Sequence, residues 1–176
     1  PSLYKPLPSF SANDLAVIVN DNDPLSVRIA QYYQKKRKIP EAQIIHIRFD
    51  SGQAVMSEAV FSKLKQQVDL KTPKKVQAYA LTWMQPFRVD CMSITSAFAF
   101  GFDKAFCAQG CLQTRNSPYF ASDSTRPFSD YGLRPTMAIT GSTFEEAKKL
   151  IDTGLSSDYT RPHGTAYLLK TSDTAR

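Results

Sequence analysis

The pattern of apolar and polar positions alternates between two kinds of segment. Leu15–Val19 is a continuous apolar run rich in β-branched residues, which predicts a strand buried on both faces. Asn20 to Pro24 reads as a turn, with Asp23 suited to an N-cap and Pro24 to the first helical position. Leu25, Ile29, Tyr32 and Tyr33 then recur at helical spacing and predict a helix to about Lys38, ended by Ile39-Pro40. Ile45, Ile47 and Phe49 alternate along a second strand, 44–49. A helix over 57–70 follows, with Ser57 as cap and Val60, Leu64 and Val68 facing inward. A third strand covers 76–82 and a short apolar helix 93–100 is closed by Gly101. Residues 102–135 show no period. Order returns with a fourth strand over 136–140 and a helix to about Leu155. That helix opens on a capping box, Ser142 to Glu145, and buries Phe144, Ala147, Leu150 and Ile151. A fifth strand covers Gly164–Thr171.

Strands alternating with helices imply parallel pairing through right-handed crossovers. The expected fold is therefore α/β, a three-layer sandwich around a mainly parallel sheet of about five strands, in a flavodoxin-like or caspase-like order. Residues 1–14 read as an extended arm and 15–176 as one α/β domain carrying the long irregular loop 102–135. The chain has 176 residues, enough to bury roughly 70% of the surface its unfolded form exposes. With 42% hydrophobic and 22% charged residues it is not a disordered, collagen-like or disulfide-dense chain. No apolar run reaches the length of a membrane span.

Charge adds one feature. Residues 1–88 hold 13 Lys and Arg against 7 Asp and Glu, whereas 89–176 hold nine of each. The excess is densest at Lys35-Lys36-Arg37-Lys38, followed by Lys71, Lys74 and Lys75. Such a patch suits nucleic acid or an anionic surface. It also suits a helix C-terminus, where cations meet the macrodipole, and no nucleic-acid motif accompanies it. Nucleic acid therefore stands only as a second alternative.

In an open parallel sheet, ligands bind beyond the carboxyl ends of the strands. Asn20, Asp21, Asn22 and Asp23 follow strand one. Thr82, Trp83, Met84 and Gln85 follow strand three and lead to Arg88, Asp90 and Cys91. These two segments are expected to emerge side by side. Asp21 and Asp23 would hold a hard divalent cation such as Mg²⁺ or act as a phosphoryl-accepting carboxylate, although Asp and Asn are also what a turn requires. No other cofactor is expected, because the first strand–helix turn has no glycine to cradle a phosphate. Cys91 is a second catalytic candidate, a thiolate ahead of a helix N-terminus. Its base would be His46 or His163, and His163 is expected at the opposite rim. Arg88 would bind a carboxylate or phosphate, or pair with Asp90 or Asp21; Thr82, Trp83 and Gln85 stand beside it as binding candidates. For the other cysteines the alternatives are a Cys107–Cys111 disulfide or two free thiols, ahead of a metal site.

Several strings resemble an uncharacterised bacterial family that carries only a numbered label. They are Leu15–Asp23, then Ser26-Val27, Ala30, Tyr32-Tyr33, Arg37 and Ile39-Pro40; Cys91-Met-Ser-Ile-Thr-Ser-Ala-Phe98; Asn116-Ser-Pro-Tyr-Phe120; and Gly164-Thr-Ala-Tyr167 with Thr171-Ser-Asp173 and Ala175-Arg176. The resemblance covers nearly the whole chain. It implies an exported protein, periplasmic or extracellular, with Pro1 a processed end and further chain beyond Arg176. The family has no assigned reaction, so it transfers no catalytic residue. A more distant similarity is to the amino-terminal α/β half of gingipain-type and caspase-like cysteine peptidases. Their pattern has His-Gly before the Cys; here Cys91 precedes His163.

The leading expectation is an exported binding or interaction domain. The aromatic loop 112–135, with Tyr119, Phe120 and Tyr131, would meet a protein partner, the chain's own C-terminal remainder or another copy. The alternative is a hydrolase, metal-assisted or cysteine-dependent, using Asp21, Asp23, Arg88 and Cys91.

Overall fold

The structure is a computed structural model, in which residues 10–107 and 114–158 are described. The last residues of the expected arm already have form. Ala12–Asp14 is a 3-10 turn, with the Ser11 side chain and the Asp14 carboxylate capping each other's amides.

Strand β1 (Leu15–Asn20) is buried along its whole length, which is why its apolar run does not alternate. Helix α1 (Pro24–Arg37) starts where expected: the Leu25 N–H donates to Asp23 Oδ1 at 2.9 Å, with Pro24 in the first turn. It ends on Lys38, whose backbone is left-handed (φ 54°). The basic run Lys35–Arg37 is the last turn of this helix. Strand β2 (Ile44–Ile47), the short strand β3 (Val55–Met56), helix α2 (Glu58–Lys71) and strand β4 (Ala78–Leu81) follow. Next come strands β5 (Arg88–Val89) and β6 (Met92–Ser93), helix α3 (Ile94–Phe100), helix α4 (Pro127–Tyr131), strand β7 (Thr136–Ala138) and helix α5 (Phe144–Ser156).

The main sheet has four strands in the order β2-β1-β4-β7, all parallel. Ile18 lies opposite Ile45 on one side and Leu81 on the other, and Leu81 opposite Ala138. The expected fifth strand, Gly164–Thr171, lies outside the described residues. A second sheet, β3-β5-β6, has no counterpart in the apolar pattern; two-residue strands are too short to show a period.

Successive residues of β1 feed two apolar clusters. Ala16 and Ile18 join Ile45 and Ile47 of β2, Phe61, Leu64 and Val68 of α2, and Ala97 and Phe98 of α3. Leu15, Val17 and Val19 join Ile29, Ala30 and Tyr33 of α1, and Ala147 and Ile151 of α5. Both faces of the sheet are thus covered, by different helices. No helix among the described residues is long and apolar enough to cross a membrane.

Three helix details depart from expectation. On α2 the inward stripe begins at Phe61, not Val60, which is 47% exposed. Both positions fit a helical period, and the larger ring takes the space beside Phe98, at 5.3 Å between centroids. The cap of α5 is one residue later than expected. Thr143 accepts from the Glu146 N–H, and Glu146 reaches back to the Ser142 N–H at 2.8 Å. Leu150 is exposed, while Ala147 and Ile151 are buried as expected.

The loop 102–135 is not structureless where it is described. It holds a 3-10 turn, Lys104–Phe106, as well as α4. Buried Gln77 anchors α4, its Oε1 accepting from the Phe128 and Ser129 amides at 3.0 and 3.3 Å. Arg134, also buried, donates from Nε to the Val76 carbonyl at 3.1 Å and lies 3.3 Å over the Phe128 ring.

Candidate functional site

Parallel pairing of β1 with β4 brings the segments after Asn20 and Leu81 to one rim of the sheet. The hydrogen bonds there run in one direction. The Asn20 N–H donates to Ser26 Oγ (3.0 Å), the Ser26 hydroxyl lies 2.7 Å from Thr82 Oγ1, and Thr82 donates to the Ile18 carbonyl (3.1 Å). Since Thr82 gives its proton to Ile18, Ser26 is the donor between the two hydroxyls. The Asn20 side chain ties β1 to the end of β2 through both the carbonyl and the N–H of Phe49. Asn20, Ser26 and Thr82 are fully buried and mutually satisfied. They hold the rim together and leave no group for a ligand.

The acidic candidates have other partners. Asp23 caps α1. Asp21 Oδ1 sits 2.6 Å from Nδ1 of His46, and its Oδ2 lies 3.6 Å from Arg48. Asp21 thus meets residues of and just beyond β2, whereas Asp23 meets the N-terminus of α1. Among the described residues no group of three or more His, Cys, Asp or Glu side chains is placed to hold a metal ion. The Asp21–His46 contact leaves no trace in the sequence because the two residues are 25 positions apart and meet only through the β1–β2 register.

Trp83, expected to face a ligand, is a core residue. It is buried between Phe49 and Phe98, with ring centroids 4.9 and 5.8 Å away, and its indole N–H donates to the Pro86 carbonyl. Gln85 is half-buried and precedes a cis proline. Arg88 is exposed on β5, between Val55 and Ser93, and neither Asp90 nor Asp21 forms an ion pair with it.

The cysteine expectation is corrected. Cys107 is bonded to Cys91, 16 positions away, with Cα atoms 5.5 Å apart. Cys111 and His163 lie outside the described residues. A disulfide sulfur carries no thiolate, so Cys91 in this state is not a nucleophile. The spacing Cys107-x3-Cys111 suggested a local bridge. The fold instead turns the chain after α3 back onto the β5–β6 hairpin.

That return borders a cleft of about 490 Å³, and a second of about 480 Å³ lies between α2 and Gly101-Phe102. One wall of the first is the β6–α3 segment: Cys91, Met92, Ser93, Ser96 and Phe100. The facing wall is the segment 114–120, with Arg115, Asn116, Ser117, Tyr119 and Phe120. Phe106 closes one side, its ring 4.5 Å from that of Phe100. Ser93 caps α3 through the Ser96 N–H and donates to the Ser96 hydroxyl at 2.8 Å. Arg115 lies over the Phe106 ring and 3.3 Å from Asp103.

The aromatic loop is held by its own contacts. The Tyr119 hydroxyl donates to the Ser124 carbonyl (3.1 Å), Ser122 donates to the Tyr131 hydroxyl (3.1 Å), and Ser124 donates to Asp130. The rings of Tyr119 and Tyr131 are 6.3 Å apart. Phe120 is 71% exposed and Tyr131 43%. Of the residues to which the sequence points, Cys91, Tyr119 and Phe120 share the cleft, Tyr131 borders it through Tyr119, and Asp21, Asp23, Thr82 and Trp83 are occupied elsewhere.

The described chain is thus an α/β protein with a four-stranded parallel sheet and an aromatic, hydroxyl-lined cleft beside a disulfide. No protein-family model, curated protein or solved structure matches it.

Proposed function

We propose that this chain is an exported binding domain that meets a protein partner through the aromatic face of Tyr119, Phe120 and Tyr131. The observation that carries this reading is Phe120, 71% exposed on a loop whose neighbours are hydrogen-bonded into one conformation. An aromatic side chain held out to water without a core role is what interface centres use. The loop's internal bonds lower the ordering cost of binding. The Cys91–Cys107 disulfide supports export, because such bonds persist in oxidising compartments.

The finer fold reading belongs to the same proposal: a three-layer sandwich in the flavodoxin-like order. The order β2-β1-β4-β7 agrees with the first four strands of that arrangement, and helices cover both faces.

Hydrolysis has less support, because Asp21, Asp23 and Cys91 each have a structural partner. Nucleic-acid binding is weakened too: Arg37 pairs with Asp158, and Lys36 lies 3.9 Å from Asp152.

The test replaces Phe120 with the photoreactive aromatic p-benzoylphenylalanine in the full chain, in its native cell envelope. Irradiation is expected to give one discrete protein adduct, lost when Tyr131→Ser is added. An adduct with a second copy identifies self-association as the interaction. Absence of any protein adduct rejects the proposal.

A further inference from the structure

The cleft behind the aromatic face has a chemistry of its own, and treating it as a ligand site rests on reading the chain as a binding domain. Among its described lining residues Arg115 is the one charged side chain, and Asp103 stands 3.3 Å from it. The other polar groups are neutral: the hydroxyls of Ser93, Ser96, Thr114 and Ser117 and the amide of Asn116. The Asn116 side chain has no hydrogen-bond partner among the described residues, and it is exposed to the cleft. Aromatic rings make up much of the remaining lining, with Phe100, Phe106, Tyr119 and Phe120. The volume, about 490 Å³, is that of a small-molecule site.

These features disfavour two ligand classes. A phosphate or polycarboxylate would require a cation without a counter-charge, and Arg115 already has one. A purely apolar ligand would cover the Thr114 hydroxyl and the Asn116 amide, which have no partner among the described residues, at a cost of about 1–3 kcal/mol for each. The ligand that suits both surfaces is uncharged, has a flat C–H face for an aromatic ring and carries several hydroxyls at its edge. Such a molecule is a saccharide.

We infer that the cleft binds a neutral oligosaccharide, with a sugar ring against Phe120 and its edge hydroxyls on Asn116, Ser93 and Ser96. The walls 91–100 and 114–120 then act as the two jaws of one site, and the Cys91–Cys107 bond ties the start of the first to Cys107, beside Phe106 at the side of the cleft. Asn116 supplies both a donor and an acceptor, which fits the vicinal hydroxyls of a pyranose.

The experiment titrates the full, oxidised chain by calorimetry with three neutral probes, chitotriose, cellotriose and maltotriose, and one anionic probe, trigalacturonate. Saturable binding of at least one neutral trisaccharide is expected, tighter than that of trigalacturonate. Asn116→Ala should weaken it about three- to tenfold and Phe120→Ala about tenfold or more. The circular-dichroism spectra of both variants check that they are folded. No saturable binding of any neutral probe up to its solubility overturns the inference, as does binding insensitive to both substitutions or stronger for trigalacturonate. The photo-crosslinking result is independent of these titrations. A protein adduct without saccharide binding removes only the saccharide site, and saccharide binding without an adduct removes only the protein-partner reading.

Discussion

Asp14 shows how a single side chain can connect distant parts of the chain. Its carboxylate accepts from the Ser11 hydroxyl at 2.6 Å and the Ser11 N–H at 3.0 Å, and it pairs with Arg126, 112 positions away, at 2.7 Å. Burial pushes its titration up, but the Ser11 bonds and the Arg126 charge outweigh it and hold the carboxyl below its ordinary range. The folded value is thus lower than the unfolded one. The associated stability is complete above about pH 4 and fades as pH falls through the folded value. Asp14→Asn should therefore cost about 1–2 kcal/mol at pH 7 in urea unfolding. It should cost less at pH 3, and equal losses at both pH values would refute the assigned role. Residue roles of this kind were partly legible. Asp23 as a cap follows from neighbours two positions away. Arg126 as the partner of Asp14 has no local signal at all.

Among the elements, α2 and α3 meet over one face of the sheet through the rings of Phe61, Phe98 and Trp83. Phe98 is fully buried and touches both of the other rings. Phe98→Ala should lower stability by about 3–5 kcal/mol, the cost of a large buried ring and the cavity it leaves. Val60→Ser, on the face that periodicity alone would turn inward, should change it by no more than about 0.5 kcal/mol. The denaturant midpoint of Val60→Ser decides between the two assignments of the α2 face, and that of Phe98→Ala measures the packing of α3 against it. The existence of α1, α2, α3 and α5 was readable because periodicity and capping are local. Leu64, Val68, Ala147 and Ile151 face inward as the period requires, but the choice between adjacent positions was not legible. Val60 and Phe61, or Leu150 and Ile151, fit the same period, and only the opposing surface selects between them.

At the level of the whole molecule, the sheet order and the disulfide determine which segments become neighbours. The Cys91–Cys107 bond closes a loop with a sequence separation of 16 residues around α3. By loop-closure entropy, its removal should destabilise the fold by about 3 kcal/mol. The double variant Cys91→Ser, Cys107→Ser, compared with the oxidised parent by guanidinium unfolding, measures this. The same variant should release the facing walls of the cleft, seen as faster amide exchange at Asn116–Phe120. Unchanged exchange there would mean that the aromatic loop stands without the bond.

The order of strands and helices and the parallel character of the sheet were written in the one-dimensional pattern. So were the segments at its carboxyl rim. Each follows from interactions within a few residues or from the handedness of a strand–helix–strand unit. The site itself was not. Trp83 became core because Phe49 and Phe98 close over it, and Asp21 was taken by His46 across a strand pair. Cys107 bonded to a cysteine from another element rather than to its neighbour in sequence. In each case the partner lies far along the chain, and only close packing in three dimensions specifies the distance between them.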